Sequence, residues 1–234
     1  MIKNIVSVAA AVLSAGVLVT GCDFEQPSAG CIVQDATIQN WYAKYDLKEG
    51  QSVSAECQTK LIAGEQWGVF KFTDPEKAGS SVLTIRPFGL YSRATRDPGD
   101  PSLQTATGKL GDEPDAANFC GATDFSLASV NAGPKTTNPP EDATNITYQF
   151  SNVKVYAAPD APGTQIGADL TYTRDGCTVQ LAVRAMWPVV PCDPDSKNPA
   201  EKCGEGSGIN PIFAVTCDEA LLRCVPAKDI PSLK

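Results

Sequence analysis

Apolar and polar residues alternate most clearly over Gly167 to Trp187, "GADLTYTRDGCTVQLAVRAMW". Asp175-Gly176 suits a two-residue hairpin turn, because both residue types tolerate positive φ. With the turn placed there, Tyr172 faces Val179, Leu170 faces Leu181 and Ala168 faces Val183 on one side. Thr173 faces Thr178, and Thr171 faces Gln180, on the other. Both strands then agree on which face is apolar, which fixes the register. In "NITYQFSNVKVYA", Asn145 to Ala157, the apolar positions Ile146, Tyr148 and Phe150 have one parity, and Val153 and Val155 have the other. A strand keeps one face through such a shift only with a bulge, expected near Ser151-Asn152. "APDAPG", Ala158 to Gly163, then turns the chain towards the hairpin.

Further strands are expected at "IQNWYAKY" (Ile38 to Tyr45), "WGVFKF" (Trp67 to Phe72) and "SVLTIRPF" (Ser81 to Phe88), all rich in β-branched and aromatic residues. The last two are separated by a turn-rich stretch and should pair. Helical periodicity is weak. The best candidate is "CDEALLRC", Cys217 to Cys224, with acids in its first turn and Arg223 in its last. Residues 94–118, 131–144 and 188–211 read as long loops. The expected fold is mainly β: an antiparallel, disulfide-stabilised sandwich with at most short helical turns.

The start of the chain has a different pattern. Met1-Ile2-Lys3-Asn4 carries one positive charge, and Ile5 to Val19 is apolar and uncharged. This matches a secretory signal. A retained anchor helix is the alternative, but spanning a bilayer takes about 20 apolar residues. The run ends Val19-Thr20-Gly21-Cys22, which resembles the lipobox of bacterial lipoproteins. That resemblance implies cleavage between Gly21 and Cys22, a diacylglycerol thioether on Cys22 and palmitate-type acylation of the new amino group. Asp23 resembles an inner-membrane retention signal of enteric bacteria, but the rule differs among bacteria and leaves the membrane open. One acyl chain holds only marginally, at about 0.8 kcal/mol per buried CH₂, so firm anchoring takes two or three. The expected organisation is a signal peptide at 1–21, a lipidated tether at 22–30 and one β-rich domain over 31–234.

Cysteine number supports export. Of nine cysteines, Cys22 is assigned to lipid, leaving Cys31, Cys57, Cys120, Cys177, Cys192, Cys203, Cys217 and Cys224. An even set in an oxidising compartment reads as disulfides. Eight cysteines allow 105 connectivities. Proximity favours Cys192 with Cys203 and Cys217 with Cys224, leaving the other four to pair among themselves.

Charge and composition narrow the chemistry. Removing residues 1–21 takes away Lys3 and no acid, leaving 18 basic and 27 acidic side chains, a net of −9. Nucleic-acid binding needs a basic surface, so it is not expected. The chain has no histidine, which excludes Ser-His-Asp and Cys-His catalysis, and it lacks C-x-x-C zinc spacing. No metal or cofactor is expected. Carboxylate chemistry on a polysaccharide stays open through acids such as Glu56, Glu65, Asp124 and Asp169, each expected on the surface. Asp193, Asp195, Asn198 and Glu201 loosely resemble an oxygen-rich calcium loop, although Lys197 and Lys202 intrude. Trp41 and Tyr45 would share one strand face and could stack on a sugar or a partner if exposed; as core residues they would not. Asn145-Ile146-Thr147 has the form of a glycosylation sequon, incidental in a bacterial lipoprotein.

The reading is therefore a membrane-anchored, non-enzymatic envelope lipoprotein. Its lipid meets the membrane, facing the periplasm or the cell surface, and its partner is an envelope protein or glycan. An assembly subunit and a carboxylate enzyme are the alternatives.

Overall fold

The structure, a computed structural model, describes residues 30–74, 76 and 80–234. The signal segment, Cys22 and most of the tether lie outside these residues. Nine strands form the main sheet: β1 (Ala36–Leu47), β2 (Gly64–Thr73), β3 (Ser81–Pro87), β4 (Ala106–Leu110), β5 (Phe119–Thr123), β6 (Ala128–Ala132), β7 (Thr144–Ala158), β8 (Ala161–Arg174) and β9 (Cys177–Met186). Their spatial order is β5-β4-β3-β2-β1-β9-β8-β7-β6, all antiparallel. β5 also pairs with β7, Cys120 opposite Val155. The fold is mainly β and antiparallel as expected. Its two inner faces come from one sheet that this pairing closes into a ring of eight strands, removing the exposed edges of an open sheet.

Closure relies on a shared partner. β5 covers the C-terminal half of β7 and β6 its N-terminal half. The two behave as one interrupted strand. The interruption is stitched to β4, since Ser126 N donates to the Thr107 carbonyl at 2.9 Å and Thr107 N donates to Ser126 Oγ at 3.0 Å. The Phe125 ring turns into the core there.

The period-2 reading is confirmed in register. Tyr172 faces Val179, Leu170 faces Leu181 and Ala168 faces Val183. Asp175 and Gly176 have φ of 49° and 81°. The β7–β8 register slips between Ser151 and Lys154, with Asn152 at φ 50°. This is the expected bulge, and it lets Phe150 and Val153 both face inwards. β2 and β3 pair as expected.

Three local expectations are overturned. Cys217 to Cys224 is not a helix; β10 (Val215–Asp218) and β11 (Arg223–Pro226) make a hairpin with Cys217 opposite Cys224. Asp218 Oδ1 accepts from the backbone N–H groups of Ala220 and Leu221, so the acid that read as a helix start organises the turn instead. Residues 94–118 are not one loop, because they contain β4. Residues 131–144 are not one open loop either: Ala132 ends β6, Lys135 and Glu141 form an antiparallel bridge, and Thr144 opens β7.

All eight cysteines beyond Cys22 are paired: Cys31–Cys120, Cys57–Cys177, Cys192–Cys217 and Cys203–Cys224. The pairing expected from proximity is corrected. Facing cysteines of the β10–β11 hairpin each bond outwards to the 192–203 loop, which lies across them. The first two bridges lie within the barrel strands and their loops, and the last two within the C-terminal segment.

Two apolar clusters result. One fills the barrel, with Trp41, Trp67, Leu83, Ile85, Tyr148, Phe150, Leu170 and Tyr172. The other lies between the outer face of the sheet, at Tyr156 and Met186, and the C-terminal segment, at Phe213, Ile209 and Cys224. Lys44 Nζ to Asp218 Oδ2 at 2.8 Å, and Arg184 to the Pro226 carbonyl at 3.1 Å, hold that segment against β1 and β9.

Candidate functional site

Strand directions give the barrel two distinct mouths. β1, β3, β5 and β8 run away from Cys31, and β2, β4, β7 and β9 run back towards it. The tether mouth is crossed by Cys31 to Gln34. Cys31 N donates to the Asp112 carbonyl and Gln34 N to the Gly163 carbonyl, both at 2.8 Å. Gly163, at φ +63°, permits this crossing, because a Cβ there would meet the Ile32 carbonyl oxygen at 2.2 Å. Cys31–Cys120 seals this mouth covalently.

The distal mouth is closed by a short helix, α1 (Phe88–Tyr91), with the turn after it, and by the loop between β1 and β2, whose Val53, Leu61 and Ile62 pack on the core. Leu90 is fully buried in the barrel cluster. Beneath it lies Glu65 on β2, 8% exposed and the one buried carboxylate among the described residues. Its Oε1 accepts from Tyr45 Oη and from Tyr148 Oη, each at 2.8 Å. Its Oε2 accepts from the Gly89 backbone N–H at 2.6 Å. Trp67 Nε1 donates to Tyr45 Oη at 2.7 Å. Tyr172 meets Tyr148 edge to face, with ring centroids 5.1 Å apart. Gly89 is required at this point, since a Cβ would lie 2.5 Å from Tyr148 Oη.

The electrostatics follow from burial. Loss of water raises the Glu65 carboxyl above its ordinary value; the bonds from Gly89, Tyr148 and Tyr45 and the charge of Arg93 pull the other way. Burial likewise lifts Tyr45 and Tyr148 well above the ordinary phenol value, and pushes Tyr172 up to about 12. Such phenols stay protonated and serve as donors to the carboxylate.

Outside this mouth is a mixed rim. Phe88 and Tyr91 are exposed with ring centroids 6.4 Å apart, and the Arg86 guanidinium lies 5.2 Å from the Tyr91 ring centre. Arg96 donates to Glu141 Oε2 at 2.8 Å, with Arg93 at 4.0 Å from the same oxygen and Lys135 at 3.7 Å from Oε1.

The expected site residues fall as follows. Trp41 and Tyr45 do share a face, but it is the inner one. Both are buried, Trp41 donating to the Gln34 carbonyl at 2.9 Å. Of the two readings, exposed stacking pair or core residues, the structure shows the second, because the inner face of β1 is turned into the barrel and its large apolar residues fill the core. Glu56, Asp124 and Asp169 each pair with a separate lysine, Lys60, Lys109 and Lys48 respectively. Glu65 is the exception to the expected surface position. Its parity on β2, shared with Trp67 and Val69, was the available signal. In the 193–201 loop the polar side chains are engaged locally. Asp193 Oδ1 accepts from Asp195 N, Asn198 Oδ1 accepts from Ala200 N, and Ser196 Oγ donates to Glu201 Oε2. Cys192, Cys203 and Cys217 cluster as potential metal ligands, but their sulfurs are committed to disulfides.

Comparison with known proteins bears on the whole chain. It is 45% identical over 242 aligned positions to a Myxococcus xanthus protein described as "Putative lipoprotein MlpA", with both chains covered in full. No solved structure gives a significant match. The MlpA family model matches residues 39–188, which span the barrel from within β1 to the end of β9. The chain belongs to the MlpA family of bacterial lipoproteins.

Proposed function

We propose that this chain is a lipid-anchored, non-enzymatic interaction module of the bacterial cell envelope, held to a membrane by Cys22. The observation that carries the reading is the disposition of sulfur. Eight of nine cysteines form four disulfides within the folded part, and the ninth, Cys22, closes a lipobox-like sequence. The arrangement of the barrel supports it. The tether leaves at Cys31, so lipid holds one mouth near the bilayer and the opposite rim, with Phe88 and Tyr91, is turned away. From Cys22 to Cys31 the chain can reach at most about 30 Å when fully extended. The reading of the rim as the face that meets a partner rests on these exposed aromatics, since Tyr, Phe and Arg are enriched at interface cores.

The test is the intact mass of the membrane-extracted protein before and after reduction and alkylation. The expected product begins at Cys22, carries lipid, and takes up eight alkyl groups only after reduction. A C22S variant should appear in the soluble fraction. A chain retaining Met1, or a C22S variant that stays with the membrane, would overturn the proposal.

A further inference from the structure

The two mouths are closed by different means. The tether mouth is locked by a disulfide. At the distal mouth Cys57–Cys177 fixes the loop between β1 and β2, whose Val53, Leu61 and Ile62 pack on the core, and beside it a short segment that no disulfide touches is held by the bond from Gly89 N to Glu65 and by the packing of Leu90. It is also held at its far end, where the Arg96 carbonyl accepts from Gly133 N at 2.9 Å and Arg96 Nη1 donates to the Gly133 carbonyl at 3.0 Å, and by the ion pairs of Arg93 and Arg96 with Glu141; the bond from Arg93 to the Gly89 carbonyl lies within the segment. Closure also leaves polar atoms unmet. Arg86 Nε and Arg93 Nε are buried there with no hydrogen-bond partner. Buried unpaired donors are costly and rare in native structures. A four-residue helix with few buried side chains belongs to the low-stability end of local opening.

We propose that Phe88–Arg96 is a displaceable plug, biased by the charge on Glu65, which helps to close the distal mouth over an aromatic-lined core. Displacement would uncover Glu65 among Tyr45, Trp67, Tyr148 and Tyr172. This goes beyond the role as an anchored module and does not depend on lipid at Cys22.

The direction of the bias follows from linkage. Glu65 faces Tyr45 on β1, Tyr148 on β7, Tyr172 on β8, and Gly89 and Arg93 on the plug. The phenols stay protonated through the working range. Glu65 is therefore the group that titrates. Closed and buried, it holds its proton more tightly than when opened to water. Opening releases that proton, so low pH favours the closed plug and rising pH favours opening.

The experiment is hydrogen exchange on the full chain in detergent micelles across pH 4 to 8, corrected for intrinsic exchange. The reporters are the Gly89, Ser92 and Arg93 amides, whose acceptors are Glu65, Phe88 and Leu90. Their protection should fall by up to about tenfold per pH unit between the ordinary glutamate range near 4.3 and the raised Glu65 value. Amides of β8 and β9 should keep their protection across that window. E65Q should remove the pH dependence. If E65Q does not fold, the wild-type series decides alone. Plug amides protected like those of β8 and β9 at every pH, or a pH dependence unchanged in E65Q, would overturn the proposal.

Discussion

Gln165 and Ser232 hold each other through two hydrogen bonds: Ser232 N donates to Gln165 Oε1 at 2.8 Å, and Gln165 Nε2 donates to the Ser232 carbonyl at 3.3 Å. Both residues are almost wholly buried. Gln165 stands on the outer face of β8, and Ser232 is two residues before Lys234, so this exchange pins the C-terminal residues to the barrel. Ser232 Oγ adds a bond to the Ala214 carbonyl at 2.6 Å.

Replacing Gln165 by Leu therefore leaves the buried Ser232 N–H unpaired, while the Ser232 carbonyl keeps its bond from Ala214 N at 2.9 Å. The expected loss is about 1–3 kcal/mol in urea unfolding, with earlier proteolysis of the final residues. A loss spread evenly over the barrel, with the C-terminus no more accessible, would contradict the pin.

Gly108 on β4 faces the inserted Phe125 ring. A Cβ there would meet Phe125 Cδ2 at 2.6 Å and the Thr123 carbonyl oxygen at 2.7 Å. G108A should cost about 1–3 kcal/mol through overpacking. Combining it with F125L should recover part of that cost beyond additivity, as a double-mutant cycle would show.

The buried Glu65 sets a pH trend in stability. Its folded-state value lies above the unfolded one, so its contribution is fully favourable below the ordinary glutamate value and is lost as pH rises through the raised value. E65Q carries a fixed penalty, because its amide must find new partners among Gly89, Tyr45 and Tyr148. The informative quantity is the difference in unfolding free energy between wild type and E65Q. It should move against the wild type with rising pH, by at most about 1.4 kcal/mol per unit. A flat difference from pH 4 to 8 would remove Glu65 from the account.

Non-reducing peptide mapping should join Cys192 to Cys217 and Cys203 to Cys224. Paired Cys→Ser substitution should then separate the bridges by span. Cys57–Cys177 closes 120 residues and Cys203–Cys224 closes 21. Chain entropy makes loss of the longer bridge costlier by about 1.5 kcal/mol. Equal losses would point to effects in the folded state instead.

What the sequence revealed depends on the distance over which each feature is written. The Asp175-Gly176 hairpin and the Ser151-Asn152 bulge were legible, because turn chemistry and side-chain parity are local. Ring closure was not, since β5 meets β7 through a pairing that no local periodicity records. Asp218, Glu219 and Arg223 suited a helix, but the four residues from Glu219 to Leu222 also suit a hairpin turn, and cross-strand packing decided for the turn. Neighbouring cysteines were expected to pair; the 192–203 loop lies across β10–β11 and crosses the connections instead. Trp41 and Tyr45 were correctly placed on one face, but pattern alone did not say which way that face pointed. Glu65 shared the inner parity of Trp67 and Val69, yet an acid is rarely buried, and its three donors come from β1, β7 and α1.

The bridges overlap in pairs, and this changes what a protease can achieve. Cys31–Cys120 and Cys57–Cys177 interleave over 31–177, and Cys192–Cys217 and Cys203–Cys224 interleave over 192–224. A single backbone cut anywhere in either span leaves both pieces covalently joined. The stretch between the spans is largely β9, buried in the middle of the sheet. A molecule nicked within either span thus sheds nothing until a second cut or a reductant arrives, and the polypeptide beyond the tether behaves as two closed loops on one short cord.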